Sequence, residues 1–174
     1  MKPLALTLLL LLAVAGCNRY KSPPAPVELR HYPLDNMEGV RAVTGVQLDT
    51  DISSDGRGAL RIDAKEPMTV PLFEVTGLDV DNATLLYQAI LQSEGLDGKA
   101  YLEMWVRFPG KGEFFSRGLD QAVTGSMSWK TTTIPFFLKA GEKPDLVRLN
   151  VVVQGKGRVW VDDILLLRSP LPSR

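Results

Sequence analysis

The sequence of 174 residues contains one cysteine, Cys17, and one histidine, His31. A single thiol excludes an intramolecular disulfide, a thiolate zinc cluster and a Cys-x-x-Cys redox centre. A single histidine near the N-terminus means that a Ser–His nucleophile system would have to recruit it across the whole fold. There is no HExxH pattern, and the two Gly-Lys-Gly triplets at 110–112 and 155–157 are turn punctuation rather than a phosphate cradle. Charge of one sign is also missing: 20 Lys and Arg stand against 20 Asp and Glu. A balanced chain carries no electrostatic footprint for nucleic acid. With that many carboxylates some pair always meets the spacing of a glycosidase, so the count identifies no active site. From Glu28 onward no long amphipathic helical period is found. The chain reads as a non-enzyme.

Lys2 precedes an apolar run, Leu4 to Val14, that is too short for the ~20 residues a membrane-crossing helix needs. The run leads into Val14-Ala15-Gly16-Cys17. This order of charge, apolar stretch, small residues and cysteine resembles the signal peptide and lipobox of bacterial lipoproteins. The resemblance implies a signal peptide at 1–16, acylation (palmitate) of Cys17, and attachment to a membrane of the cell envelope through lipid alone. Lipoproteins held in the inner membrane of Gram-negative bacteria commonly carry Asp after the cysteine. Asn18 here implies the outer membrane instead. Residues 17–27 then form a tether, stiffened by Pro23, Pro24 and Pro26. Without Lys2 the mature chain keeps 19 basic and 20 acidic side chains over its 158 residues, enough for one domain with a substantial core.

The remainder alternates apolar and polar residues in short runs broken by glycine. Strands are predicted at 58–63, 68–75, 84–92, 100–108, 128–138, 146–154 and 158–167. Pro71 marks the second of these as an edge or a bulge. Turn chemistry in SSDGRG, EGLDGK, PGKG and AGEKPD separates the runs, and Gly155-Lys156-Gly157 reads as a compact hairpin. Many short strands at this spacing predict a sandwich or a barrel. One domain is expected over 28–168, with a loose tail at 169–174.

The last predicted strand, RVWVDDILLL, carries Asp162 and Asp163 in its middle. Strict alternation puts Val159, Val161, Asp163 and Leu165 on one face, and Trp160, Asp162 and Ile164 on the other. One carboxylate therefore points inward, and an unpaired buried charge is prohibitively costly. It must bind a cation, accept backbone N–H groups, pair with arginine, or sit at the rim.

GKGRVWVDDILLL after LNVVVQ resembles the closing strands of jelly-roll carbohydrate-binding modules and galactose-binding-like domains. SSDGRGALRID resembles their early turn and strand, and SWKTTTIPFFLKAGEKPDLVRLNVVV their tryptophan strand and penultimate strand. The resemblance runs in order through 28–168. It implies an all-β fold, a two-sheet antiparallel β-sandwich (jelly roll). It also implies a structural Ca2+ at Asp162, with Glu28 among the oxygens that would complete the site. Pairing with arginine or backbone amides remains the other reading for Asp162.

Trp105 shares a strand face with Tyr101, Glu103 and Arg107. An aromatic surface interleaved with charges suits a sugar, whose ring has an apolar face and a polar rim, so these four residues are the candidate ligand-binding set. Trp129 and Trp160 read as core or sheet-edge residues. Of Phe114 and Phe115, one is expected to face outward. The expected function is non-catalytic glycan binding by a membrane-anchored module. The alternative is an assembly lipoprotein whose sandwich face binds another envelope protein.

Overall fold

The computed structural model describes residues 24–172. The expected signal peptide and the expected acylation site, Cys17, lie outside the described residues. Eight strands follow in order: β1 (Val27–Tyr32), β2 (Val46–Asp49), β3 (Ala59–Ala64), β4 (Met68–Thr76), β5 (Ala83–Phe108), β6 (Gly112–Arg117), β7 (Val123–Leu138) and β8 (Leu146–Ser169). All pairings are antiparallel.

Two strands are far longer than the sequence pattern suggests. The runs at 84–92 and 100–108 are one continuous β5 of 26 residues, and those at 146–154 and 158–167 are one β8 of 24. The hairpin expected at Gly155-Lys156-Gly157 is therefore not a hairpin. Residues 146–153 do not pair with 159–168; each half of β8 pairs with the opposite half of β5 instead. Both strands bend where Gly98 faces Gly155 in register. A hairpin turn and a sharp bend both draw on glycine, so composition alone does not separate them.

The bends let β5 and β8 serve two layers. In the first, β8 (146–153) lies between β4 and the second half of β5, which also pairs with β6. In the second, β8 (157–169) lies between the first half of β5 and the strands β3 and β1, with β7 beyond β5 and β2 beyond β3. The result is the two-sheet antiparallel sandwich. Pro71 stands at a register shift of the edge strand β4, where its missing N–H costs the ladder nothing.

One hydrophobic cluster joins the inner faces, with Leu60, Ile62, Val70, Leu85, Tyr87, Leu102, Met104, Leu149, Ile164 and Leu166 among its buried members. Each such aliphatic side chain stabilises the fold by roughly 1.5–3 kcal/mol. Because β5 and β8 leave and return, Ala83, Phe108, Leu146 and Ser169 gather at one end of the sandwich together with Val27. This is the end at which the described chain begins. The glycine bends form the other end.

Candidate functional site

The outward face of the first sheet brings Trp105 together with residues from three strands. Register sets Arg148 of β8 and Phe115 of β6 on either side of it, and sets Asn150 and Arg117 on either side of Glu103. Glu103 is 4 % exposed, yet every contact it makes is a donor. Its Oε1 accepts from Trp105 Nε1 at 2.8 Å and from Asn150 Nδ2 at 3.2 Å, and its Oε2 accepts from Arg117 Nε at 2.6 Å. A buried carboxylate is tolerated only with such partners. The indole is thus clamped by its N–H, and Trp105 is half-buried rather than covered.

Arg117 also lies 4.4 Å over the Phe115 ring, and Phe115 is tilted against Trp105 at 5.1 Å between centroids. Arg148 donates from Nη1 to Glu113 at 2.8 Å and from Nε to Glu74 at 3.3 Å. Since β5 separates β8 from β6, Arg148 passes over β5 beside Trp105 to reach Glu113. The outcome is an aromatic step with planar, hydrogen-bonding groups fixed around it.

Of the four residues expected here, Trp105 and Glu103 are brought together, but Glu103, expected to hydrogen-bond a ligand, is buried and its oxygens are taken by Trp105, Asn150 and Arg117. Tyr101 does not offer a platform: it is 3 % exposed, so its ring has no free face for a ligand. Arg107 turns toward the end of the sheet, where Nε donates to Asp145 at 2.9 Å and holds that carboxyl below its ordinary range. Arg148, Asn150, Arg117 and Phe115 were missed because they lie on other strands. Alternation within β5 reveals a face but not its neighbours.

Asp162 answers the question raised by the paired aspartates. Gln88 faces Leu165 while Ile90 faces Asp162, so β8 carries one extra residue here. Asp163 takes a left-handed φ of 48°, the mark of a β-bulge. The bulge shifts the phase of the strand: Val159 and Val161 face the core before it, Ile164 and Leu166 after it. Strict alternation fails there for that reason. Asp163 turns out to His31, 2.6 Å from Nε2. Asp162 is fully buried; its Oδ2 accepts from Ser54 N–H at 2.8 Å and Ser54 Oγ at 2.7 Å, and its Oδ1 from the Asp163 N–H at 2.9 Å. Glu28 is not brought to it: its register partner on β8 is Leu167, five residues further on. Among the described residues no group of three or more His, Cys, Asp or Glu is placed to hold a metal ion. The loop that supplies Ser54 also covers Trp160, a core residue whose Nε1 donates to Asp49 Oδ2 at 2.9 Å and draws that carboxyl below its ordinary value.

Burial raises the Asp162 carboxyl above its ordinary value of 3.8, and the three donors oppose the shift without cancelling it. A group with a raised folded pKa stabilises fully below its unfolded value, and that contribution is lost as pH rises through the folded value. The wild-type stability minus that of Asp162→Asn is therefore expected to fall as pH rises from about 3.8 toward neutrality. Urea melts of both proteins across that range read the difference. A difference independent of pH removes the account.

No family model matches the sequence, and no curated protein does. Solved structures do. The chain is similar to the CBM22-1 xylan-binding domain of Paenibacillus barcinonensis Xyn10C, with 12 % identity over 86 % of this chain and 100 % of that one and a TM-score of 0.59. It is similar to TmCBM61, solved in complex with β-1,4-galactotriose, with 15 % identity over 78 % and 92 % and a TM-score of 0.53. It is also similar to a Stig cyclase of Fischerella sp. TAU in complex with a pyrrolidinylidene-indole, with 16 % identity over 82 % and 85 % and a TM-score of 0.52. Identities this low establish the fold alone. That fold is the jelly-roll β-sandwich of carbohydrate-binding modules, and the cyclase shows that it also carries other chemistry.

Proposed function

We propose that the chain is a non-catalytic glycan-binding module held to a membrane of a bacterial envelope, the outer membrane where there is one, by acylation of Cys17. The observation that carries the binding reading is the half-buried Trp105, its indole locked by Glu103 and flanked by the guanidinium of Arg148 and the Phe115 ring. Trp105 stacks on the apolar face of a pyranose ring, and Arg148 and Arg117 supply donors to its hydroxyls, while buried Asn150 holds Glu103 from the other side. Glu103 acts from beneath by holding the donors in place. Because the groups are already ordered by one another, little side-chain entropy remains to be lost on binding.

The solved neighbours described as xylan-binding or complexed with galactotriose direct the first experiment toward β-1,4-linked sugars. The chain without residues 1–16 is screened on a glycan array and titrated calorimetrically with xylo- and galacto-oligosaccharides. Saturable binding in the micromolar to millimolar range is expected. Silence across the array from a folded protein refutes the glycan reading.

A further inference from the structure

We infer that the tether end of the sandwich is a lipid-contacting surface that sets how the domain stands on the membrane. The edge strands β6 and β7 belong to different sheets and do not pair, so the sandwich gapes between them. Phe114 faces the interior, since its register partner is the buried Val106, yet among the described residues no strand closes that edge and it is 50 % exposed. Phe114 meets Phe108 edge-on at 5.9 Å, and Phe108 meets Phe136 of the other sheet at 6.2 Å. With Pro135 and the 54 % exposed Phe137 they line a cleft of about 690 Å³. An exposed aromatic cleft of this size is not a neutral surface feature.

The occupant follows from where the chain enters. Val27, Arg168, Leu85 and Phe136 form one transverse row across four strands. Three strand spacings place the cleft about 14 Å from Val27, where the tether would end. Seven residue steps lead from Cys17 to Pro24, so an acyl group on Cys17 keeps this end within about 25 Å of the bilayer. The exposed Val27 and Leu171 lie at the same end. Lys139 and Arg168 also stand there, and neither forms an ion pair with an acidic side chain among the described residues. The rim is mixed in charge, with Lys111 paired to Glu142 at 3.4 Å; aromatic and aliphatic side chains beside Lys139 and Arg168 suit the bilayer interface, where rings settle among headgroups and cations meet phosphates. Acyl chains already anchor the protein, so the patch contributes orientation: the strands stand along the membrane normal and the Trp105 face opens sideways. The placement rests on the acylation of Cys17; the surface itself does not.

The test uses the chain lacking residues 1–16 with Cys17→Ser, which retains every strand and every buried core residue. It is sedimented with vesicles of equal parts phosphatidylcholine and phosphatidylglycerol. Salt-sensitive partitioning is expected, reduced about tenfold by Phe114→Ser with Phe137→Ser and weakened by Lys139→Glu with Arg168→Glu, all at an unchanged melting midpoint. Equal partitioning of wild type and the phenylalanine variant overturns the inference, as does partitioning by neither. Self-association that the phenylalanine variant abolishes, without vesicle binding, overturns it in favour of a protein contact. The intact mass of the mature full chain tests acylation separately. If acyl groups are missing there, the anchoring reading fails, while vesicle binding by the unacylated chain still supports the surface.

Discussion

Alanine at Gly155 is expected to prevent folding. At the bend the backbones of β5 and β8 cross with Gly98 facing Gly155. A Cβ on Gly155 would overlap the carbonyl oxygen of Asp97 outright, and would stand 2.8 Å from its carbon and 3.1 Å from Gly98 Cα. Those atoms are backbone and cannot rotate away. The φ of 152° adds its own strain, of order 1–3 kcal/mol for a residue with a side chain. Separating the strands would break the ladder on both sides of the crossing. A total beyond about 4 kcal/mol is expected, against a typical domain stability of about 5–15 kcal/mol. Gly95 provides the control. It also has a positive φ, 56°, but a Cβ there meets nothing within 4 Å. Alanine at Gly95 is expected to cost only about 1–2 kcal/mol. Soluble yield and urea midpoints compare the two. If Gly155→Ala is no worse than Gly95→Ala, the close crossing is wrong, and with it the sharing of β5 and β8 between two layers.

That crossing also marks where the sequence stops being legible. The β class and most strand positions follow from two-residue alternation, because a half-buried strand requires it. Alternation is local, however. It does not distinguish Gly155-Lys156-Gly157 as a turn that reverses the chain from a bend that carries it into the second sheet. The difference lies in what the flanking halves pair with, and those partners are some sixty residues away on β5. Asp162 and Asp163 show the same limit on a smaller scale. The requirement for a partner was clear from burial cost. The bulge that moves Ile164 onto the core face, and the choice of Ser54 as donor, depend on where β3 and β1 leave β8. In the candidate site Trp105 and Glu103 were legible because they alternate within β5. Arg148, Asn150, Arg117 and Phe115 reach them only through register. Tyr101 and Arg107 satisfied the same alternation, but Tyr101 is covered, and Arg107, though exposed, is drawn to Asp145 at the end of the sheet.

Trp105→Ala is expected to weaken glycan binding by about thirtyfold to several hundredfold while leaving a folded domain. A fully engaged aromatic hot spot is worth about 2–4 kcal/mol on truncation, and one decade of affinity corresponds to about 1.4 kcal/mol. The ring supplies the stacking surface. Its removal also frees a donor from Glu103, but Arg117 and Asn150 continue to satisfy that carboxylate, so the sheet beneath keeps its charge paired. The fold loss should therefore stay near the 1–2 kcal/mol of a half-buried side chain. Trp105→Phe separates the two roles of the indole. It retains a ring and loses the Nε1 bond to Glu103 that orients it, and an intermediate loss of about tenfold is expected, the size of one hydrogen bond to a charged group. Trp129 supplies the contrast. It lines a shallow cleft with Arg57, Thr131 and Asp163 on the other sheet, which makes that cleft the competing aromatic site. Calorimetric titration of Trp105→Ala and Trp129→Ala with the same oligosaccharide distinguishes the sheets. Binding lost in the Trp129 variant and kept in the Trp105 variant would move the site to the second sheet, because a stacking platform does not survive removal of its ring.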